Sequence, residues 1–242
     1  MTPQTRALPV WLADPDRPFW GYAELLVTAA AFIVTTIAGF STMRALSASL
    51  HFDPDSGVPL LAVEFAAYAM VFLVLKGLFA RYGRPLFESL AWTGQPFRSL
   101  HLVVLGVALA LIVVVLGNLL RFPNVETPFD KLLNDPVSRV MISIFGVSLG
   151  PVIEELLFRG FLQPVLVDSF GALPGILATS IIFGGVHLMQ NANIWQSGVL
   201  IALVGFVMGV VRHVSGSTRA SAIVHVSYNA LPFVVMLAGG GK

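Results

Sequence analysis

Apolar residues in this chain do not alternate or recur at helical spacing. They run on for about twenty positions at a time between short polar stretches. An α-helix needs about 20 mostly apolar residues to cross a hydrocarbon core, so each run predicts a membrane-spanning helix. The runs cover Tyr22–Leu50, Val58–Phe79, His101–Leu120, Val140–Val167, Ala172–Met189, Ser197–Val211 and Ala220–Ala238. Dividing the fourth at Gly150-Pro151, where a proline removes a helix hydrogen bond, adds one more. Between the runs, His51–Gly57, Arg81–Pro85, Phe122–Pro136 and Val214–Thr218 read as turns. The longest of these includes Phe129–Leu133, a short stretch suited to the membrane surface. The expected fold is all-α: a polytopic transmembrane bundle of about seven to eight spans, with a cavity between its C-terminal helices.

Composition agrees with the pattern. Of 242 residues, 56% are hydrophobic and 11% charged, against about 25% charged in soluble domains. The chain reads as one integral-membrane domain over 1–242, with a polar arm at 1–21 and a motif-bearing core at 140–232. The arm has no continuous apolar stretch and is not read as a signal peptide. Its Trp11 and Trp20 are expected to anchor at the interface. A net charge of +1 without a Lys/Arg-rich block argues against a nucleic-acid partner. With no cysteine, disulfides, thiolate metal sites and a cysteine nucleophile are excluded. Lys/Arg bias, strongest over Lys76–Arg98, places the N-terminus on the cytoplasmic side, most simply in a bacterial-type cytoplasmic membrane.

The chemistry lies in three polar clusters inside apolar runs. The first is Glu154-Glu155-Leu-Leu-Phe-Arg159. A carboxylate at membrane depth costs about 2.5–3.5 kcal/mol on insertion scales, so it marks a functional site by default. Glu155 and Arg159, at i and i+4, share a helix face and can pair. Glu154 points about 100° away and has no cation nearby in sequence. Pro151 suits the first turn of a restarted helix, which would set Glu154 near a partly positive helix end. The second cluster is Phe183-Gly-Gly-Val-His187. Phe183 precedes His187 by one turn and should pack on its ring, while Gly184 and Gly185 permit close approach of a helix or substrate backbone. The third is His225-Val-Ser-Tyr-Asn229, whose two polar ends share a face. Three helices carrying costly polar groups must turn them inward. Such a set can activate water with a glutamate and stabilise an oxyanion with the histidines and the amide. It can also hold a divalent metal such as zinc through Glu154, His187 and His225, although no HExxH helix is present.

Together the three motifs resemble the CPBP family, the CAAX prenyl protease and bacteriocin-processing group of intramembrane peptidases, also called the abortive-infection family. The family pattern is EExxxR, FxxxH and HxxxN on successive helices, and here it runs in order through Arg159, His187 and Asn229. The resemblance covers about residues 140–232. It implies a membrane endopeptidase in which Glu154 activates water, supported by Glu155 and Arg159, with His187, His225 and Asn229 holding the water and stabilising the oxyanion. The implied substrate is a peptide or protein, prenylated or otherwise membrane-associated, reached from the lipid bilayer. Both metal-dependent and metal-free mechanisms are described for the family, and the metal-free reading is favoured here.

Two rival functions belong to other classes. Intramembrane carboxylates and histidines also build proton- or ion-coupled transporters, but transporters commonly show two related halves, and here the polar clusters are confined to the second half. A non-catalytic membrane chaperone or immunity factor of the same fold is the other. Simple rise counting also puts His225 near one membrane face and His187 beyond the midplane, against a shared site. Elsewhere, Glu64 is deep enough to line a cavity, Glu24 lies near the interface, His51-Phe-Asp53-Pro-Asp55 reads as a turn, and Gly205 and Gly209 form a GxxxG pair suited to close packing.

Overall fold

The computed structural model describes residues 18–121, 127–188 and 194–238, and these fold as helices with no strand among them. In chain order they are α1 Tyr22–Leu50, α2 Gly57–Arg81, α3 Leu86–Ser89, α4 Ser99–Leu119, α5 Pro128–Leu132 and α6 Pro136–Gly146. There follow α7 Leu149–Phe170, α8 Ala172–Leu188, α9 Trp195–Ser215 and α10 Thr218–Ala238. The apolar runs therefore map onto helices almost end for end. Short α5 covers most of the stretch expected at the membrane surface, with Thr127 and Asp130 capping each other at its start.

The candidate spans roughly fit the bundle that run counting predicts. Among the described residues α1, α2, α4, α9 and α10 are long and apolar enough to span, and α6 with α7 adds one if the bent pair is a single span: five to six in all. The described part of α8, Ala172–Leu188, is a shorter apolar helix outside that count. The fourth run is two helices meeting at 43°. The break lies at Val147 and Ser148, one turn before the expected Gly150-Pro151. Proline disrupts the bond to the carbonyl four residues earlier, which is that of Val147, so the ladder fails there and restarts with Pro151 in the first turn of α7.

Large apolar side chains stand exposed on nearly every long helix, among them Leu26 and Val34 on α1, Val104 and Val115 on α4, and Val234 and Val235 on α10. Helix α1 buries only Thr28. An apolar exterior of this extent needs lipid rather than water against it, and the protein is a multi-pass integral membrane protein. Inside, one packed group joins Trp20, Leu75, Phe79, Leu156 and Phe161, and another joins Leu102, Leu109, Phe183, Val204, Met208 and Val224. Trp20 is thus a core residue rather than an interfacial anchor: it is 7% exposed, stacks on Phe161 and donates its indole N–H to the Phe161 carbonyl at 2.9 Å. Trp11 lies outside the described residues.

Helix α10 is fixed in depth at its first residue. Thr218 donates its amide to the Ala91 carbonyl at 2.9 Å and its hydroxyl to the Leu90 carbonyl at 2.6 Å. At the other side, the Gly57 amide donates to Ser138 Oγ at 3.1 Å and ties α2 to α6. Glu24 serves structure: its carboxylate accepts from the Gly21 amide at 2.9 Å and the Tyr82 hydroxyl at 3.0 Å. The His51–Asp55 segment is the turn expected, with the Asp55 amide bonded to Asp53 Oδ1 at 3.0 Å.

Candidate active site

The glutamate pair sits where α7 changes its winding. Leu149–Glu155 is α-helical, Leu156–Leu162 is a π-helix and Gln163–Phe170 is α-helical again. Such wide turns are frequent at functional sites. As the spacing predicts, Glu155 and Arg159 pair: Nη1 donates to Oε1 at 2.9 Å, and both side chains are 0% exposed. Arg159 Nη2 also donates to the Gly205 carbonyl at 2.9 Å, and the guanidinium lies over the Phe183 ring, 4.4 Å from its centroid. One turn on, Gln163 donates to the Gly209 carbonyl at 3.0 Å.

The GxxxG pair therefore does more than let two helices approach. A Cβ at Gly205 would lie 3.1 Å from Arg159 Nη2 and 3.2 Å from Phe183 Cδ1, and one at Gly209 would lie 2.9 Å from Gln163 Oε1. The glycines expose carbonyls where the buried polar groups of α7 need acceptors. Arg159 and Gln163, four apart, facing two glycines four apart, was the signal in the sequence for this contact. Gly205→Ala is expected to lower stability by about 1–3 kcal/mol, the range for overfilling a packed interior, read as a lowered melting temperature in detergent.

Glu155 has a second partner that helical spacing does not reveal. His225 Nδ1 lies 3.0 Å from the same Oε1. A carboxylate paired with arginine accepts, so His225 carries its proton on Nδ1. His187 Nδ1 lies 2.8 Å from the Phe183 carbonyl, which can only accept, so it too is protonated there. In the neutral rings both Nε2 atoms then bear lone pairs. Both approach one oxygen: Glu154 Oε2 is 3.7 Å from His187 Nε2 and 3.9 Å from His225 Nε2. Phe183 packs on His187 as expected, with ring centroids 4.5 Å apart. The depth mismatch from rise counting does not hold. His225 lies two turns inside α10, below the anchored Thr218, and meets His187 in the last turn of α8.

Glu154 Oε2 and the two Nε2 atoms stand close enough for one small bridging group. The separations exceed a direct hydrogen bond and suit a bridging water, whose two hydrogens can serve Glu154 and one imidazole. Among the described residues no group of three or more His, Asp or Glu side chains is placed to hold a metal ion.

Asn229 is on the same wall with another bond to make. Its Nδ2 donates to the Gly146 carbonyl at 2.8 Å, an acceptor next to the α6–α7 break. An amide nitrogen has two N–H groups, so one is committed to bracing the break. Gly184 is the close-approach glycine, since a Cβ there would collide with the Gly198 carbonyl on α9, while Gly185 has open space beside it. A cavity of about 800 Å³ is lined by Glu154, His187, His225 and Asn229, with Phe32, Phe40, Leu60 and Phe145 among its apolar residues. Glu64 lines it as well.

Fold and site together define a polytopic membrane protein with a carboxylate–imidazole site inside its helix bundle. Residues 136–231 match the family model described as Rce1-like, type II CAAX prenyl endopeptidase Rce1-like. The second half of the chain is thus similar to Rce1-like domains, in keeping with the motif resemblance to the CPBP family. The match begins where α6 begins and leaves α1–α5 outside it. No curated protein and no solved structure matches the chain.

Proposed function

We propose that the protein is an intramembrane endopeptidase that hydrolyses a peptide bond with water activated by Glu154. The observation that carries this is the approach of Glu154 Oε2 to both histidine Nε2 atoms at 3.7 and 3.9 Å on a cavity wall. A water at that point gives one hydrogen to Glu154 and the other to an imidazole. As its oxygen attacks the scissile carbonyl carbon, Glu154 takes the proton, and the carbonyl oxygen becomes an oxyanion. The N–H of Asn229 not bonded to Gly146 is the neutral donor for that oxyanion, while an imidazole Nε2 accepts the hydrogen that stays on the attacking oxygen. Collapse breaks the C–N bond while the Glu154 proton passes to the departing nitrogen, leaving a new carboxyl group and an amine. Glu155 and Arg159 do not touch substrate in this reading. They hold the ring of His225 and its tautomer.

The apolar cavity walls suit a lipid-embedded peptide. A prenylated or otherwise membrane-associated protein is the substrate class that the Rce1-like description brings to this chain, and the basic residues between Lys76 and Arg98 support a cytoplasmic N-terminus. Purified protein in liposomes is expected to cut members of a library of membrane-partitioning peptides, prenylated and unprenylated. That activity should survive exhaustive chelation. Loss on chelation with recovery on added zinc would instead make Glu154, His187 and His225 metal ligands. Cleavage of nothing, with ion flux dependent on Glu154, would replace the peptidase by a transporter.

A further inference from the structure

A second cavity, of about 740 Å³, shares no described lining residue with the first. Its rim is polar and exposed, with Glu88 from α3, Asp168 from the end of α7 and His213 from the last turn of α9. Its lining also includes two deeply buried polar side chains, Arg159 and Gln163, which are 0% and 3% exposed. Protein groups serve these two only in part. Arg159 donates through Nη1 to Glu155 and through Nη2 to the Gly205 carbonyl, and Gln163 donates through Nε2 to the Gly209 carbonyl. Among the described residues the Arg159 Nε donor and the Gln163 Oε1 acceptor have no hydrogen-bond partner. Buried polar atoms in folded proteins are met by protein or by ordered water. Both side chains are held against α9 on neighbouring turns of α7, one offering a donor and the other an acceptor. Water can accept from the first and donate to the second. A water takes about 30 Å³ of liquid volume, so the cavity has room for a connected chain of them out to its rim.

We propose that this second cavity is a water inlet. It binds water at Arg159 Nε and Gln163 Oε1 and joins the buried Glu155–Arg159 pair to the aqueous edge of the membrane, by a route separate from the Glu154 cavity. The pair is also the support of His225, whose Nδ1 lies 3.0 Å from the Glu155 oxygen that Arg159 holds. Water therefore reaches the back of the site even while a ligand fills the Glu154 cavity. Continued hydration keeps two charges tolerable in a place where a dry ion pair is costly. Such an inlet is present whether or not the protein cuts peptides. The alternative is that packing closes over Arg159, and that any water near it arrives from the Glu154 cavity.

The chain has no cysteine, so a single cysteine can be placed in either cavity and modified without background. The readout is exchange of the Arg159 Nε–H with heavy water, followed by NMR of full-length protein carrying isotope-labelled arginine in phosphatidylcholine nanodiscs. The Arg159 signal is the one missing from the Glu155→Gln/Arg159→Met double variant. In wild type it is expected to exchange at least about tenfold faster than the backbone amides of Val204 and Met208, which buried helix protects. A bulky disulfide-linked adduct on Ser89→Cys, in the second cavity, should slow that exchange at least about tenfold, and reduction of the adduct should restore it. The same adduct on Leu60→Cys, in the Glu154 cavity, should change it by less than about twofold. Val167→Cys, also in the second cavity, replaces Ser89→Cys if the modified protein folds poorly. Exchange in wild type no faster than that of the Val204 and Met208 amides overturns the proposal. So does exchange that the Ser89 and Val167 adducts leave unchanged, or that the Leu60 adduct alone slows. Peptide cleavage by the same wild-type protein reports separately on the peptidase reading.

Discussion

Glu154→Gln is expected to lower kcat/KM by about 10²–10⁴-fold, the span of a lost general base, while the protein stays folded in the membrane. The substitution keeps the side chain's size and removes its ability to take a proton. Glu154 is not part of the Glu155–Arg159 pair, so little structural support is lost with it. The measurement is peptide cleavage by purified variant and wild type in liposomes, beside their melting temperatures. Unchanged cleavage would remove Glu154 from the reaction. A large fall in melting temperature would make its role structural.

The opposite separation is expected one residue further on. Arg159→Met leaves the Glu155 carboxylate fully buried without its cation, a situation that costs about 3–5 kcal/mol. It should show as poor recovery of folded protein and a steep fall in melting temperature. The double variant Glu155→Gln/Arg159→Met removes both charges, and such replacements are often neutral for stability, so most of the melting temperature should return. Cleavage should not. His225 then no longer has a carboxylate on Nδ1 to hold its ring and tautomer, and its Nε2 is no longer presented to Glu154. Recovery of both stability and full activity would show that Glu155 and Arg159 serve folding alone.

Much of this was legible from local pattern. The apolar runs place the helices because transfer of a segment into hydrocarbon depends on that segment's own side chains. The Glu155–Arg159 pair followed from i,i+4 geometry, as did the packing of Phe183 on His187. What failed to show were relations between segments. The break at Val147 falls a turn from the proline that causes it, and the Gly146 carbonyl beside it is met by Asn229 from a helix more than eighty residues away. Trp20 looked like an anchor because its neighbours in sequence are polar, yet its neighbours in space are Phe79 and Phe161.

The sequence by itself determined that this chain is a bundle of membrane helices, that three of its segments carry polar groups too costly to face lipid, and that Glu155 is matched to Arg159. Each conclusion depends on one segment and on the energy of placing it in hydrocarbon. It took the packed helices to show that His187 and His225 both approach a single oxygen of Glu154, that Glu155 also holds His225, and that Gly205 and Gly209 offer carbonyls to Arg159 and Gln163. Those contacts depend on how far one helix slides and turns against another. That is set by the packing of many side chains at once and has no period in the sequence.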